Sequence, residues 1–400
     1  MLAAHPPGQG TGSAVRGAAS LCALRALFER VDVVALAFPD EERFADPEVR
    51  ILARPGRPPR LSRLAMLARG GAYYYDERGA RVADRLGALA SSGALLERYD
   101  LAWCHSALLA RAAHGVPATA RVLDIDNLPS ADLLTRGASG GPRRAYDRAL
   151  GAAFRREERR RSNLYDVVTV TSGAERAQLE GVRPRVVVLP NTVPAAPAAP
   201  VASSGLLVLF VGSLDYEPNI DAVAWMSDEI VPRLRALVPG VAVRVVGRRP
   251  GRRVRGLCAA ADIELVADAP SLTVHHHAAR LVIAPLRSGG GTGRIKVLEA
   301  LAHGVPVVAT PQAVAGLSLT SGVDVQVAPD AEGLARAAAA LLADRGRAAR
   351  IGQAGRKQWR RSHDPAAAER TIAQIVGRLV TAEPPGSVGT TAVHPQPRQP

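Results

Sequence analysis

Residues 280–310 gather most of the side chains that could hold and stabilise an anion. Gly289, Gly290, Gly291 and Gly293 make a loop whose backbone can approach a ligand closely. Arg287, Arg294 and Lys296 surround it, and one carboxylate, Glu299, lies one helical turn further on. Free backbone N–H groups at a helix start, next to cations, suit a phosphate-sized anion. Two common phosphate motifs do not fit. A dinucleotide fingerprint needs a third glycine where Lys296 stands, and a P-loop needs Lys-Ser/Thr where Arg294 and Ile295 follow Gly293.

The elements that must position these residues can be read around them. Leu281–Ala284 is a short apolar run, as expected of a buried parallel strand. Arg294–His303 has helical spacing, with Ile295, Leu298 and Ala302 on one side, and Gly304 suits the position that ends a helix. Val305–Ala309 reads as a second buried strand. A strand, glycine loop, helix and strand in this order aim the helix N-terminus at the carboxyl edge of a sheet, where α/β folds bind ligands.

Length and composition bound the answer. The 400 residues suffice for two α/β domains with their own cores. No apolar run approaches the roughly 18 residues of a membrane span. The start of the chain has neither a basic nor an apolar leader region, so a cytoplasmic protein is expected. Cys22, Cys104 and Cys258 are too scattered for a disulfide framework or zinc site. The net charge of +14 suits phosphorylated substrates, anionic lipid or nucleic acid, and a coding bias towards Arg also contributes, since nearly all 51 Lys+Arg are Arg. With 4% aromatics and no helix-turn-helix or finger pattern, nucleic acid is not an expected partner.

In the first half, a helix is predicted over Ser13–Arg30 and a strand over Val31–Phe38, with only Met1–His5 left for a preceding first strand. Residues 40–60 read as a Pro/Arg-rich loop. Leu61–Arg69 and Ala80–Leu96 read as helices, with Tyr73, Tyr74 and Tyr75 in a loop between them, as a packing anchor or an acceptor contact. Asp100–Cys104 and Ala120–Ile125 read as strands that deliver His105, Asp124 and Asp126 at their carboxyl ends, the two aspartates on one face. One long Arg-rich helix, Gly141–Ser162, is either a solvated face with pairs to Asp147, Glu157 and Glu158 or a surface for anionic headgroups. Asp166–Thr171 and Arg185–Leu189 are further strands, with Ser172 capping a helix over Gly173–Glu180.

Val193–Ser204 has linker composition. Beyond it, strands at Leu206–Val211, Val241–Val246, Ile263–Val266 and Val323–Val327 alternate with helices, including Ile220–Leu237 and Leu272–Ala279. The latter carries His275, His276 and His277. Adjacent helical positions point about 100° apart, which disfavours a shared metal. Helices follow near Ala331–Leu342, Arg345–Arg361 and Pro365–Leu379. The expected organisation is 1–193, a linker 194–204, 205–363, a helix 364–382 and a disordered tail 383–400.

Leu209–Asn219, Val245–Arg248, Gly289–Glu299 and Lys296–Thr310 together resemble family 4 glycosyltransferases, in particular the subgroup making cell-surface polysaccharides. The first half resembles them only through Gly10–Arg16, Val122–Asn127 and Val170–Ser172. The resemblance implies an α/β protein of two facing Rossmann-like domains, the GT-B fold, with the active site in the interdomain cleft. It further implies a retaining, metal-independent, hexosyltransferase-like enzyme with no cofactor. The donor would be a nucleotide-diphosphate sugar held by the second domain, and the acceptor a glycan or lipid-linked sugar held by the first. The last helix would return to the first domain. Peripheral contact with an anionic membrane at the inner face of the plasma membrane would follow from such an acceptor.

Carried over residue by residue, the resemblance makes His105, Asp126, Arg248 and Lys296 catalytic candidates. It makes Gly10, Gly12, Gly212, Ser213, Asn219, Gly290, Gly291, Thr292, Arg294 and Glu299 substrate-binding candidates, with Glu299 accepting from ribose hydroxyls. A plain ion pair between Lys296 and Glu299 is the alternative for those two, and a core or capping role is the alternative for His105. The chain departs from the wider family in two places. A second loop carboxylate would fall at Gly291, and the family's cations after the first strand of the second domain are missing from Gly212–Asn219. The diphosphate cation is thus open among Arg248, Arg287, Arg294 and Lys296. A same-fold nucleotide-sugar epimerase and a non-catalytic binding module are the alternative functions.

Overall fold

The computed structural model describes residues 1–3, 7, 12–37, 48–53, 72–138, 144–197, 205–289 and 294–380. Two parallel sheets with flanking helices account for them. The first has seven strands: β1 (Leu2–Ala3), β2 (Val33–Ala37), β3 (Val49–Ala53), β4 (Tyr99–His105), β5 (Ala118–Asp124), β6 (Val167–Val170) and β7 (Arg185–Val188), in the order β3-β2-β1-β4-β5-β6-β7. The second has six: β8 (Leu207–Val211), β9 (Ala242–Gly247), β10 (Glu264–Ala267), β11 (Leu281–Ala284), β12 (Val307–Ala309) and β13 (Gln326–Val327), in the order β10-β9-β8-β11-β12-β13. Both orders reverse direction beside their first strand, at β1/β4 and at β8/β11. Such a switch point opens a crevice at the carboxyl edge.

The helices of the first unit are α1 (Gly12–Leu27), α2 (Ala72–Ser91), α3 (Ala110–His114), α4 (Pro129–Ala138), α5 (Arg144–Ser162) and α6 (Gly173–Gln178). Those of the second are α7 (Glu217–Trp225), α8 (Val231–Leu237), α9 (Arg252–Ala260), α10 (Thr273–Ala278), α11 (Ile295–His303), α12 (Pro311–Val314), α13 (Ala331–Ala343) and α14 (Arg345–Ser362). A last helix, α15 (Pro365–Val380), packs Ala368, Ile372, Ile375 and Val376 on Ala23, Leu24, Trp103 and Val122 of the first unit.

Several expectations need correction. Residues 40–60 hold the edge strand β3, paired in register with β2 from Val33↔Val49 to Ala37↔Ala53. Tyr73, Tyr74 and Tyr75 lie within α2 and not in a loop before a helix. The helix expected over Gly141–Ser162 is described from Arg144 to Ser162, residues 141–143 lying outside the described residues, and a separate helix, α4, precedes it. The helix expected over Ile220–Leu237 is split by a π turn at Met226–Ile230. Pro232, with no N–H to donate, follows directly and disrupts the regular ladder there. The strand expected from Val323 is only Gln326–Val327. Gly10, Gly290, Gly291, Thr292 and the helix expected at Leu61–Arg69 lie outside the described residues.

The helix that carries the anion-site residues is itself core. Ile295, Lys296, Val297, Leu298, Ala300, Leu301, Ala302 and His303 of α11 are all buried. Gly304 ends it at φ 74°, a left-handed conformation that glycine adopts without Cβ strain. The α14 helix lies against α11 through Gly352 and Gly355. A Cβ on Gly352 would overlap the carbonyl of Gly304, and one on Gly355 would press into Leu301.

Candidate active site

The second sheet builds one half of the site at the ends of β8, β9 and β11. Gly247 ends β9 so close to β8 that any Cβ there would overlap the carbonyl oxygen of Gly212. Gly212 N bonds to Val246 O at 3.1 Å and Leu214 N to Arg248 O at 2.8 Å, which fixes the loop leaving β8. Asn219, on the first turn of α7, fills the space over Gly212 and donates from Nδ2 to Ser213 O at 2.8 Å. Its Oδ1 accepts from Lys296 Nζ at 2.6 Å. The Lys296 ammonium also lies 5.1 Å from the ring centroid of Phe210.

This resolves the alternative of a Lys296–Glu299 pair. Among the described residues the Lys296 ammonium bonds to Asn219, and no ion pair joins it to Glu299. Burial lowers the Lys296 ammonium to about 8 and raises the Glu299 carboxyl to about 7, each opposed by the charge of the other. Arg287, in contrast, is committed to α7. It holds Asp221 at 2.5 Å and 3.0 Å and lies 4.9 Å over the Trp225 ring. Arg248 is half-buried just beyond Gly247, and Arg294 is half-buried at the start of α11.

Two residues that sequence reasoning did not single out hold the start of the glycine loop. Gln312 of α12 donates to Gly289 O at 2.8 Å, and Thr310 Oγ1 donates to Leu286 O at 2.5 Å while capping Ala313 N. Gly289 itself has φ 110°, and a Cβ there would meet Pro218 and the Tyr216 hydroxyl. The Thr-Pro-Gln sequence after an apolar run is a readable helix start, but its reach to Gly289 is a tertiary fact.

The first sheet builds the other half. Strand register sets His105 beside Asp124 and Asp124 beside Thr169. Asp124 is fully buried; its Oδ2 is 2.8 Å from His105 Nδ1, and its Oδ1 accepts from Thr169 Oγ1 at 2.5 Å and from Arg16 Nη2 at 2.5 Å. Arg16 of α1 also donates to Leu189 O at 2.7 Å and Asn191 Oδ1 at 3.0 Å. His105 Nε2 faces Ser13 O at 3.0 Å, beside Gly12 at the start of α1. Nδ1 faces the Asp124 carboxylate, and Nε2 faces both Ser13 O and the Ser13 hydroxyl, the latter at 3.2 Å. Although burial lowers the pKa of the His105 ring, the Asp124 bond and charge raise it overall. Burial likewise opposes ionisation of Asp124, yet Arg16 and His105 hold it well below the usual carboxylate range. With 0% exposure, His105 bridges Asp124 and Ser13 at the start of α1. Asp126 lies past the end of β5, half-buried, so it does not share a strand face with Asp124.

The two halves meet at their carboxyl edges. Ser172, after β6, touches Gly316, after α12: a Cβ on Gly316 would sit 2.7 Å from that of Ser172. Arg294 Nη1 is 3.7 Å from the same point. His363 Nδ1 donates to Asn191 O at 2.8 Å, tying the chain before α15 to the end of the first unit.

Two Rossmann-ordered units with their carboxyl edges in contact make the GT-B fold, as in solved glycosyltransferases. Residues 205–344 match the family Glycosyl transferases group 1. Similar solved structures span the whole molecule. Sucrose-phosphate synthase from Thermosynechococcus elongatus is 18% identical at a TM-score of 0.70, with 96% of this chain and 98% of that one covered. HepE from Anabaena in complex with UDP-glucose is 13% identical at 0.64, covering 94% and 98%. A glycosyltransferase from Rickettsia africae is 13% identical at 0.62, covering 96% and 99%. At these identities the likeness is one of fold. No curated protein matches the sequence.

Proposed function

We propose that the chain is a retaining glycosyltransferase that moves a sugar from a nucleotide-diphosphate donor to a glycan or lipid-linked acceptor in surface polysaccharide synthesis. The observation that carries this reading is the placement of Lys296 and Glu299 in the first turns of α11, at the β8/β11 switch point, with the Lys296 ammonium held at the loop leaving β8. Transfer breaks the bond between the sugar C1 and a diphosphate oxygen. Charge builds on the leaving diphosphate, and fixed positive groups stabilise it. Lys296, Arg248, Arg294 and the amides that begin α11 are the groups this chain offers. These fixed charges are proposed to suffice without a metal. Glu299, once ionised, would accept from the ribose hydroxyls. HepE was solved with UDP-glucose, so UDP is the first nucleotide to try.

The acceptor side of the reading is supported by α5. Glu157 turns inward to Arg161 at 2.8 Å and Glu158 to Ser130; Arg148, Arg155, Arg156 and Arg160 are exposed on the helix, Arg160 at 3.9 Å from Glu157. Such a stripe suits anionic headgroups around a lipid-linked acceptor. No helix among the described residues is long and apolar enough to cross a membrane.

Thermal-shift and calorimetric titration with UDP, GDP, ADP and their sugars test the donor reading. Stabilisation by one nucleoside diphosphate, lost in Lys296→Ala, is expected; no response to any of them would overturn it. Anomeric analysis of the product by NMR tests retention.

A further inference from the structure

Asn219 stands in the donor site, yet both ends of its amide are used inside the protein. Oδ1 accepts from Lys296 Nζ at 2.6 Å, and Nδ2 donates to Ser213 O at 2.8 Å. The residue is 4% exposed. Its orientation is determined, because a flipped amide would set NH2 against the ammonium and oxygen against a carbonyl. Gly212 closes over it, and a Cβ there would lie 2.7 Å from Nδ2. Gly247 in turn presses on Gly212. A contiguous contact path therefore runs from the end of β9 through Gly212 and Asn219 to Lys296.

The choice of lysine points the same way. The sequence has two lysines, Lys296 and Lys357, among 51 Lys+Arg. At 296 the chain departs from its strong preference for arginine in a buried site with one amide oxygen beside the cation. A compact ammonium fits a single acceptor there, whereas a planar guanidinium brings five donors to be satisfied. The partner is also neutral. A carboxylate at 219 would make the same hydrogen bond but cancel the charge, and with no acceptor there the flexible stem is free to swing towards Glu299.

We propose that Asn219 is a positioning residue: it anchors the Lys296 ammonium at the end of β8 and, being uncharged, leaves the whole positive charge to the donor diphosphate. This deepens the donor-site reading above and rests on it.

The test compares wild type, Asn219→Asp, Asn219→Ala, Lys296→Ala and the two double variants for UDP affinity and for UDP-glucose turnover. Asn219→Asp is expected to weaken UDP binding at least tenfold at pH 7. Asn219→Ala is expected to lower kcat more than it raises KM. Neither change should add much in the Lys296→Ala background, because both act through the ammonium. Lysine labelled with 13C gives a direct second readout with only two resonances, assigned by Lys357→Arg. The Lys296 midpoint should move up by a pH unit or more in Asn219→Asp. If Asn219→Asp does not fold, the same titration of Asn219→Ala and Asn219→Ser must still move the midpoint from wild type. Unchanged affinity and an unchanged midpoint in folded variants, or losses that simply add to that of Lys296→Ala, would overturn the proposal alone. A wild type that binds no nucleoside diphosphate would overturn the donor reading, and the charge-delivery role of Asn219 with it.

Discussion

His105 Nδ1 lies 2.8 Å from Asp124 Oδ2, and neither side chain is exposed to solvent. Arg16 supplies a second charge to the same carboxylate. Removing one member of such a buried set leaves the others charged without a partner. Asp124→Asn is therefore expected to cost roughly 3–5 kcal/mol of stability, read by urea denaturation. The pH dependence has two opposite signs. Asp124 has a depressed folded pKa, so its contribution is present above the unfolded carboxylate value of about 3.9 and is lost as pH falls through the folded one. His105 has a raised folded pKa, so its contribution is complete below about 6.5 and is lost as pH rises through the folded value. The stability gap between wild type and His105→Asn should thus shrink on the alkaline side. A gap that widens there would show that His105 is neutral.

The glycine contacts make a second prediction, with an internal control. Gly247→Ala and Gly352→Ala each place a methyl group on a backbone carbonyl that cannot move without displacing a strand or a helix end. Each is expected to cost several kcal/mol, about 3 or more, or to prevent folding. Gly256 lies inside α9 with nothing within 4 Å of its would-be Cβ. Gly256→Ala should stabilise by about 0.4–1 kcal/mol through the unfolded state and helix propensity. Urea midpoints of the three variants check this, and equal effects at all three positions would contradict it.

How much of this was legible follows from what each feature depends on. Buried parallel strands such as β8 and β11 announce themselves as apolar runs, and the intervening helices by their spacing, so the two-sheet α/β class was readable. The edge strand β3 was not. Its five residues are apolar but for Arg50, yet the run is short and set in Pro/Arg-rich surroundings that read as a loop. The tyrosines of α2 misled because aromatic clusters suit loop anchors as well as helices, and no proline interrupts that stretch. In the site, Lys296 and Glu299 were visible from their place after the glycines. The Lys296–Asn219 bond joins residues 77 positions apart, and the His105–Asp124–Thr169 line depends on strand register; local spacing encodes neither. One signal was available in the sequence itself, namely a rare lysine in an arginine-rich chain.

The exposed arginines of α5 predict salt-dependent membrane binding. Vesicles containing about one-third anionic lipid should pull the protein down at low salt and release it as ionic strength rises, since the Debye length falls to about 3 Å at 1 M. Changing Arg155, Arg156 and Arg160 together to Ser is expected to weaken that binding by roughly 3 kcal/mol at about 1 kcal/mol per residue near the surface. UDP affinity should stay within twofold of wild type. Equal sedimentation of wild type and triple variant would assign the +14 charge to coding bias in place of a lipid surface.

The near-neutral titrations of Lys296 and Glu299 give the narrowest prediction. In the proposed donor reading, binding needs the ammonium, which is lost as pH rises through about 8, and the carboxylate, which is lost as pH falls through about 7. The kcat/KM for a UDP-sugar should therefore be bell-shaped, with limbs near those values belonging to the free enzyme. Glu299→Gln is expected to remove the acid limb and keep the alkaline one. Lys296→Ala should remove the alkaline limb and lower kcat/KM by roughly 10²–10³-fold, the loss typical of one group that stabilises transition-state charge. Stability moves in the other direction for Lys296. Its folded pKa lies below its unfolded value of about 10.4, so the unfolded state holds more protons between the two values and stability rises with pH there. A wild-type enzyme whose activity falls above pH 8 while its resistance to urea does not fall would separate the loss of a catalytic charge from unfolding. Parallel loss of both would assign the alkaline limb to unfolding instead.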